Sequence, residues 1–215
     1  MNWQSVPIYI NNFNNLARGF RRLVEWLRDA GYENVTVVDN GSTWGPLLEY
    51  YERSPELVVL RVGENLGPYA VWNLDLHNKG GQFVVTDPDV VPAVDCPRDV
   101  VRKLMEVRER FPVAKVGVSL RIDNLPEHYR ERERVVKWEG QFWTGIDPSG
   151  DVYHAAVDTT FALYDQGMRA WPAGPYLRLA PPYTFEHLPW YEDSGRPSAE
   201  LEFYRSTRRQ GDTNW

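Results

Sequence analysis

Gln82-Phe83-Val84-Val85-Thr86-Asp87-Pro88-Asp89-Val90-Val91-Pro92 joins an apolar run to a pair of acids. Phe83-Val84-Val85 has the length and β-branched content of a buried strand. The run stops at Asp87-Pro88-Asp89, two carboxylates one residue apart, with a proline stiffening the link between them. In an open α/β sheet, ligands sit beyond the carboxyl ends of the strands, so a site belongs here. Two carboxylates in that place suit a hard divalent cation that substrate phosphates also hold. The bland alternative is a solvated turn, which Asp and Pro both favour.

Upstream, the chain alternates strand and helix. Val6-Pro7-Ile8-Tyr9-Ile10 reads as a first strand, followed by the polar break Asn11-Asn12-Phe13-Asn14-Asn15. Phe13, Leu16, Phe20, Leu23, Val24 and Leu27 then recur at helical spacing opposite a face of arginines, and Gly31 is placed to end that helix. The arginines are read as a solvated face rather than a phosphate site. Val35-Thr36-Val37-Val38 is a second strand that runs into Asp39-Asn40-Gly41-Ser42, another acid at a strand end. A short helix over 47–53, a strand over 57–62 and a helix over 68–77 lead back to the strand over 83–86. Such alternation implies parallel pairing with right-handed crossovers. Asp39 and Asp87 would then share one edge of one sheet.

Downstream, the pattern predicts a helix over 97–111, a strand over 115–120 and a charged, solvated excursion over 127–134. Beyond Trp138 the composition shifts to aromatics, Gly and Pro. Asp158-Thr159-Thr160-Phe161-Ala162-Leu163-Tyr164 reads as a strand led by an acid, and 181–191 as a prolyl, aromatic loop containing His187. Residues 205–215 read as a frayed tail. With no repeat, low-complexity tract or linker, all 215 residues are read as a single domain.

A net charge of −6 argues against general nucleic-acid binding, where a basic face supplies most of the affinity. The single Cys96 excludes an internal disulfide framework and a Cys-cluster zinc site. No apolar run reaches the ~18 residues of a membrane span, and the first residues do not form a signal peptide. The expected location is the cytoplasm, which leaves room for peripheral membrane contact.

In this order the pieces resemble a GT-A glycosyltransferase, close to the bacterial family 2-type enzymes. The resembling residues are Val6-Pro7-Ile8-Tyr9-Ile10, Val38-Asp39-Asn40-Gly41-Ser42, Asn65-Leu66-Gly67 with Asn73, and Thr86-Asp87-Pro88-Asp89. The stretch from Asp158 to Tyr164, and Pro182-Tyr183 through His187-Leu188-Pro189-Trp190-Tyr191, resemble the second half of a small bacterial subgroup. The resemblance implies an α/β fold with a mostly parallel central sheet flanked by helices. It implies a nucleotide-sugar half over about 1–120 and an acceptor half over about 121–204. It places Ile8, Asp39, Asn65 and Asp87 on the donor nucleotide, with Asp39 at the base or ribose. Asp87, Asp89 and His187 would ligate Mn²⁺ or Mg²⁺, as in a DXD motif with an added C-terminal ligand. One departure is Trp72, which stands where the family pattern often has Arg.

The chemistry fits on its own terms. A nucleoside-diphosphate leaving group gains charge as the sugar–oxygen bond breaks, and a divalent ion stabilises that charge. Two carboxylates and an imidazole suit Mn²⁺ better than Ca²⁺. An inverting enzyme also needs a general base at the acceptor hydroxyl. Asp158 is the first candidate and Asp193 the second, with inversion favoured over retention. Acceptor sugars present flat CH faces, for which Trp190 is taken as the platform from a group that includes Trp138, Glu139, Trp143 and Tyr191. The expected activity is hexosyl transfer from a UDP- or GDP-linked donor to a hydroxyl acceptor, in surface polysaccharide or glycoconjugate assembly. The alternatives are a sugar-nucleotide nucleotidyltransferase, or a non-catalytic nucleotide- or carbohydrate-binding protein of the same fold. A nucleotidyltransferase carries a glycine-rich basic loop after its first strand, and Asn11-Asn12-Phe13-Asn14-Asn15 contains no glycine.

Overall fold

β-Branched and aromatic runs separated by polar turns pair as their hydrophobicity requires. In the computed structural model, which describes residues 2–158 and 160–209, β1 (Ile8–Asn12), β2 (Val35–Asp39), β3 (Val58–Arg61) and β4 (Phe83–Thr86) form a parallel block. Their order is β3-β2-β1-β4. Every residue of β1 and β4 is buried, as in a parallel sheet covered on both faces. The register pairs Asn12 with Asp39 and Ile10 with Thr86, so these strands end on one edge, as expected for Asp39 and Asp87.

Helix α1 (Phe20–Asp29) buries Phe20, Leu23, Val24 and Leu27 against one sheet face, with α2 (Gly45–Glu52) beside it. The other face carries Tyr9, Val38, Phe83 and Val85 under α3 (Ala70–Asn73). The alternation of Ile8 and Ile10 with Tyr9 divides β1 between these two cores.

The second half completes the sheet. β5 (Val90–Pro92) follows the acidic turn, and α4 (Val100–Arg110) leads to β6 (Lys115–Leu120). Next come α5 (Arg132–Gly140), β7 (Val152–His154), β8 (Ala162–Tyr164), β9 (Tyr176–His187) and α6 (Ala199–Thr207). The order continues β4-β8-β6-β9-β5, with β7 also on β9. β8 runs antiparallel between β4 and β6, while β6 and β9 pair in parallel. The whole is an α/β fold with a mostly parallel central sheet flanked by helices, as the sequence implies. Among the described residues, no helix is long and apolar enough to cross a membrane.

Several expected boundaries move, each for a local reason. The first helix begins at Phe20 rather than near Phe13, because Asn14 (φ 48°) and Gly19 (φ 152°) leave helical geometry. The helix over 68–77 shrinks to Ala70–Asn73, with Asp75 left-handed at φ 56°. The acid-led strand keeps only Ala162–Tyr164, so Asp158 stands in the preceding loop, and Thr159 lies outside the described residues. The aromatic loop over 181–191 is instead the end of the twelve-residue β9 and a 3₁₀ turn, Leu188–Tyr191. Of the expected tail, 205–207 belongs to α6, whereas 210–215 lies outside the described residues.

Candidate active site

The loops at the carboxyl edge of β1, β2 and β4 open into a cleft of ≈ 650 Å³. One end is a polar cradle. The Asn40 amide donates to the Asn11 carbonyl oxygen (3.1 Å) and to the Gly67 main-chain carbonyl (2.8 Å), while its own oxygen accepts from the Leu66 amide (2.9 Å). Asn65 accepts from the Gly67 amide at 2.8 Å, and Gly67 itself turns at φ 79°. Asn11, Asn40, Asn65 and Gly67 all line the cleft.

Asp39 and Ile8 are not among the lining residues. Asp39 is fully buried beneath Asn40, where it accepts from the Ser42 amide (2.8 Å) and lies 3.8 Å from Arg61 Nε. Ile8 is also fully buried, three residues short of Asn11. At ~3.3 Å per residue that leaves it about 10 Å from Asn11, which does line the cleft.

Asp87 and Asp89 line the middle of the cleft. Gly19 makes this packing possible, since a Cβ there would stand 2.5 Å from Asp89 Cα and 2.7 Å from the Pro88 carbonyl oxygen. β5, which follows at once, pairs Val90 with His187, and the Leu188 amide donates to the Asp89 carbonyl (2.9 Å). His187 Nε2 thereby comes to 3.8 Å from Asp89 Oδ1. Burial lowers the His187 pKa; Asp89 opposes the shift, Arg18 adds to it and Asp158 opposes it. The imidazole is therefore neutral at neutral pH, the form that ligates metals.

Donors 3.8 Å apart can share one ion whose ligand distances are about 2.1 Å. Asp87 does not complete a trio: among the described residues, no three His, Cys, Asp or Glu side chains are grouped as a metal site. The Asp89–His187 pair fits an ion that takes its remaining ligands from a diphosphate, which is how small hard cations are commonly held. His187 Nδ1 is buried with no hydrogen-bond partner, and the Trp190 ring stands edge-on to the imidazole at 4.7 Å.

Asp158 lines the cleft and is exposed. Its charge bears on His187, Glu139 and Lys115 alike. Its loop is anchored by Arg178, which donates through Nε to the Ala156 carbonyl at 2.6 Å. The buried Arg178 also pairs with the buried Glu139 carboxylate and lies 4.2 Å from the Phe142 ring centroid. Gly117 on β6 makes room for Val157, whose Cγ1 would lie 2.4 Å from a Cβ at that position. Below, Lys115 is fully buried among the rings of Trp171 (4.3 Å), Tyr164 (5.1 Å) and Tyr176 (5.1 Å). Burial brings its pKa down to about 8, with Asp158 opposing the shift.

Asp193 is exposed and is not among the lining residues; it accepts from the Gly195 amide at 2.8 Å. Trp190 is only 3% exposed and backs His187, whereas a sugar platform needs an open ring face. The open faces in the cleft belong to Trp138 (54% exposed), Trp171 (47%) and Tyr69 (42%). Trp171 Nε1 donates to the Tyr69 hydroxyl at 3.1 Å. Trp72, the departure from the family pattern, instead donates to the Met168 carbonyl at 2.9 Å. Also unforeseen are Leu201, Tyr204, Arg205 and Arg208, which line the cleft from the C-terminal end. Their spacing, after a capping Ser198, is itself a helix signal.

No protein-family model matches the chain, and no curated protein matches it. Among solved structures it is similar to S. aureus TarS 1-349, at 14% identity and a TM-score of 0.47, over 75% of this chain and 47% of that one. The same protein in complex with UDP-GlcNAc gives 14% identity and a TM-score of 0.47 over 75% and 45%; in complex with UDP it gives 14% and 0.43 over 75% and 46%. The chain thus spans less than half the length of the solved chains it matches.

Proposed function

We propose that the protein is a GT-A-type glycosyltransferase that moves one sugar from a nucleoside-diphosphate donor to a hydroxyl acceptor. The observation that carries this reading is the meeting of the Asp89–His187 pair and Asp158 in one cleft, at the carboxyl edge of a parallel block. The nucleoside lies in the cradle of Asn11, Asn40, Asn65 and Gly67, and the diphosphate lies at Asp89 and His187. Asp89 and His187 would hold a divalent ion, Mn²⁺ or Mg²⁺, which would supply the charge neutralisation that a departing diphosphate needs. The acceptor lies against Trp138, Trp171 and Tyr69. Asp158 takes the proton of the acceptor hydroxyl as its oxygen bonds to the anomeric carbon. The bond from that carbon to the diphosphate oxygen breaks, its electrons leave with the diphosphate, and the configuration inverts. Surface-polysaccharide or glycoconjugate assembly is the setting we favour.

The nucleotidyltransferase reading is weakened by the loop after β1. There the amides of Leu16, Ala17 and Arg18 already hold the Glu200 carboxylate, at 2.7, 3.0 and 3.2 Å. A triphosphate at that loop would have to displace it. The test is calorimetric titration of UDP and GDP, with and without Mn²⁺, into the wild type and Asp89→Asn. We expect one nucleotide to bind in a metal-dependent way and to be lost in the variant. Metal-independent binding would remove the Asp89–His187 role, and no binding to either diphosphate would remove the donor site.

A further inference from the structure

Leu201, Tyr204, Arg205 and Arg208 recur at three- and four-residue spacing, so they form one stripe along α6 and its carboxyl end. All four line the cleft. The helix is firmly held in that position. Besides the three amides on Glu200, Ser198 caps its first turn by accepting from the Leu201 amide at 3.1 Å. Asn14 Nδ2 donates to Thr207 Oγ1 at 3.0 Å, and the rings of Trp44 and Phe203 meet at 4.8 Å.

Arg18 completes the group from the other side. Its guanidinium lies 5.1 Å from the Tyr204 ring centroid, and its Nε donates to Glu192 at 2.5 Å. Its neighbour Gly19 presses on the Asp87-Pro88-Asp89 turn, and the Arg18 charge is felt at His187. Further along the chain, Arg209 Nη1 would stand 3.5 Å from a Cβ on Gly67, in the polar cradle. Arg209 therefore reaches the cradle, and Arg18 lies toward the Asp89–His187 pair. Among the described residues, the guanidinium groups of Arg205 and Arg208 make no hydrogen bond or ion pair.

The cleft is otherwise rich in carboxylates: Asp87, Asp89, Glu139, Asp158 and Glu192 all line it. A nucleoside diphosphate entering such a site meets repulsion that one divalent ion between two ligands offsets only in part. Guanidinium groups bind phosphate oxygens in a bidentate manner and stay charged at any working pH. We infer that Arg18, Arg205 and Arg208 form a diphosphate-binding edge of the donor site, so that the C-terminal helix completes the site. This rests on the donor reading above.

The test uses the full chain and titrates UDP and GDP beside uridine and guanosine, in the presence of Mn²⁺, into the wild type, Arg205→Gln, Arg208→Gln and the double variant. Each substitution should weaken diphosphate binding about tenfold, the loss expected when a charge-assisted hydrogen bond to phosphate goes. Nucleoside affinity and the thermal midpoint should stay at wild-type values, and the salt dependence of diphosphate binding should flatten. A double variant with the wild-type ratio of diphosphate to nucleoside affinity overturns the inference and leaves the donor reading standing. Equal loss of nucleoside and diphosphate also overturns it, since that marks a collapsed site. If the wild type binds no diphosphate, the donor reading itself falls and the inference with it.

Discussion

Removing the Glu200 carboxylate should undock the C-terminal helix. Glu200 is 7% exposed, and its Oε1 accepts from Leu16 (2.7 Å) and Arg18 (3.2 Å) while Oε2 accepts from Ala17 (3.0 Å). A hydrogen bond to a charged group contributes about 1.5–3 kcal/mol net. Three such bonds on one carboxylate do not add, and the freed amides can recruit water. We expect Glu200→Ala to cost about 3 kcal/mol, or about 6–12 °C in Tm for a chain of this size. Glu200→Gln keeps one acceptor and turns an N–H toward the other amide, which should cost about 1–2 kcal/mol. Urea unfolding followed by tryptophan fluorescence reads both variants, because the Trp44 ring meets that of Phe203, on the C-terminal helix, at 4.8 Å. A Glu200→Ala variant within about 0.5 kcal/mol of wild type, the range of an ordinary surface substitution, would refute the reasoning.

Three further outcomes concern the residues that hold the Asp158 loop and those packed below it. Gly117→Ala should cost about 1–3 kcal/mol, because the new methyl meets Val157 Cγ1 at 2.4 Å, and Val157→Ala in the same chain should restore most of it; no rescue in a double-mutant cycle would sink the steric account. Glu139→Leu should cost about 3–5 kcal/mol by stranding the buried Arg178, and adding Arg178→Met should recover much of that in denaturant titrations; a double variant worse than the single one would count against it. Lys115 has its pKa lowered by burial to about 8 when folded against an ordinary value of 10.5, so between these pH values the unfolded chain binds a proton that the folded one has released. Wild-type stability relative to Lys115→Met should therefore rise with pH across that window, by about 3 kcal/mol at about 1.4 kcal/mol per pH unit, and a flat difference would contradict it.

Much of the first half was legible because strands and amphipathic helices are written in short periods. Phe83–Thr86 and Val35–Asp39 follow from β-branched runs, and the alternation with helices implied their shared edge. The misreadings came where a distant partner overrides a local pattern. The apolar spacing from Phe13 to Leu27 continues a helix on paper, yet the amides of Leu16, Ala17 and Arg18 are held by Glu200, 182–184 residues away. Asp158 looked like a strand residue, but Arg178 and Gly117 hold its loop at the cleft instead. Trp190 looked like an open aromatic and proved to be a buried wall behind His187.

The sequence by itself determined the strand–helix alternation, the acidic turn at Asp87-Pro88-Asp89 and the net charge of −6, because each depends on neighbours within a few residues or on totals. Only the tertiary structure decided that His187 meets Asp89, through the Val90–His187 register, and that Arg205 and Arg208 join the cleft. The physical reason is that pairings across most of the chain are chosen by packing and by burial of polar groups. Local periodicity leaves no trace of which distant segment will satisfy them.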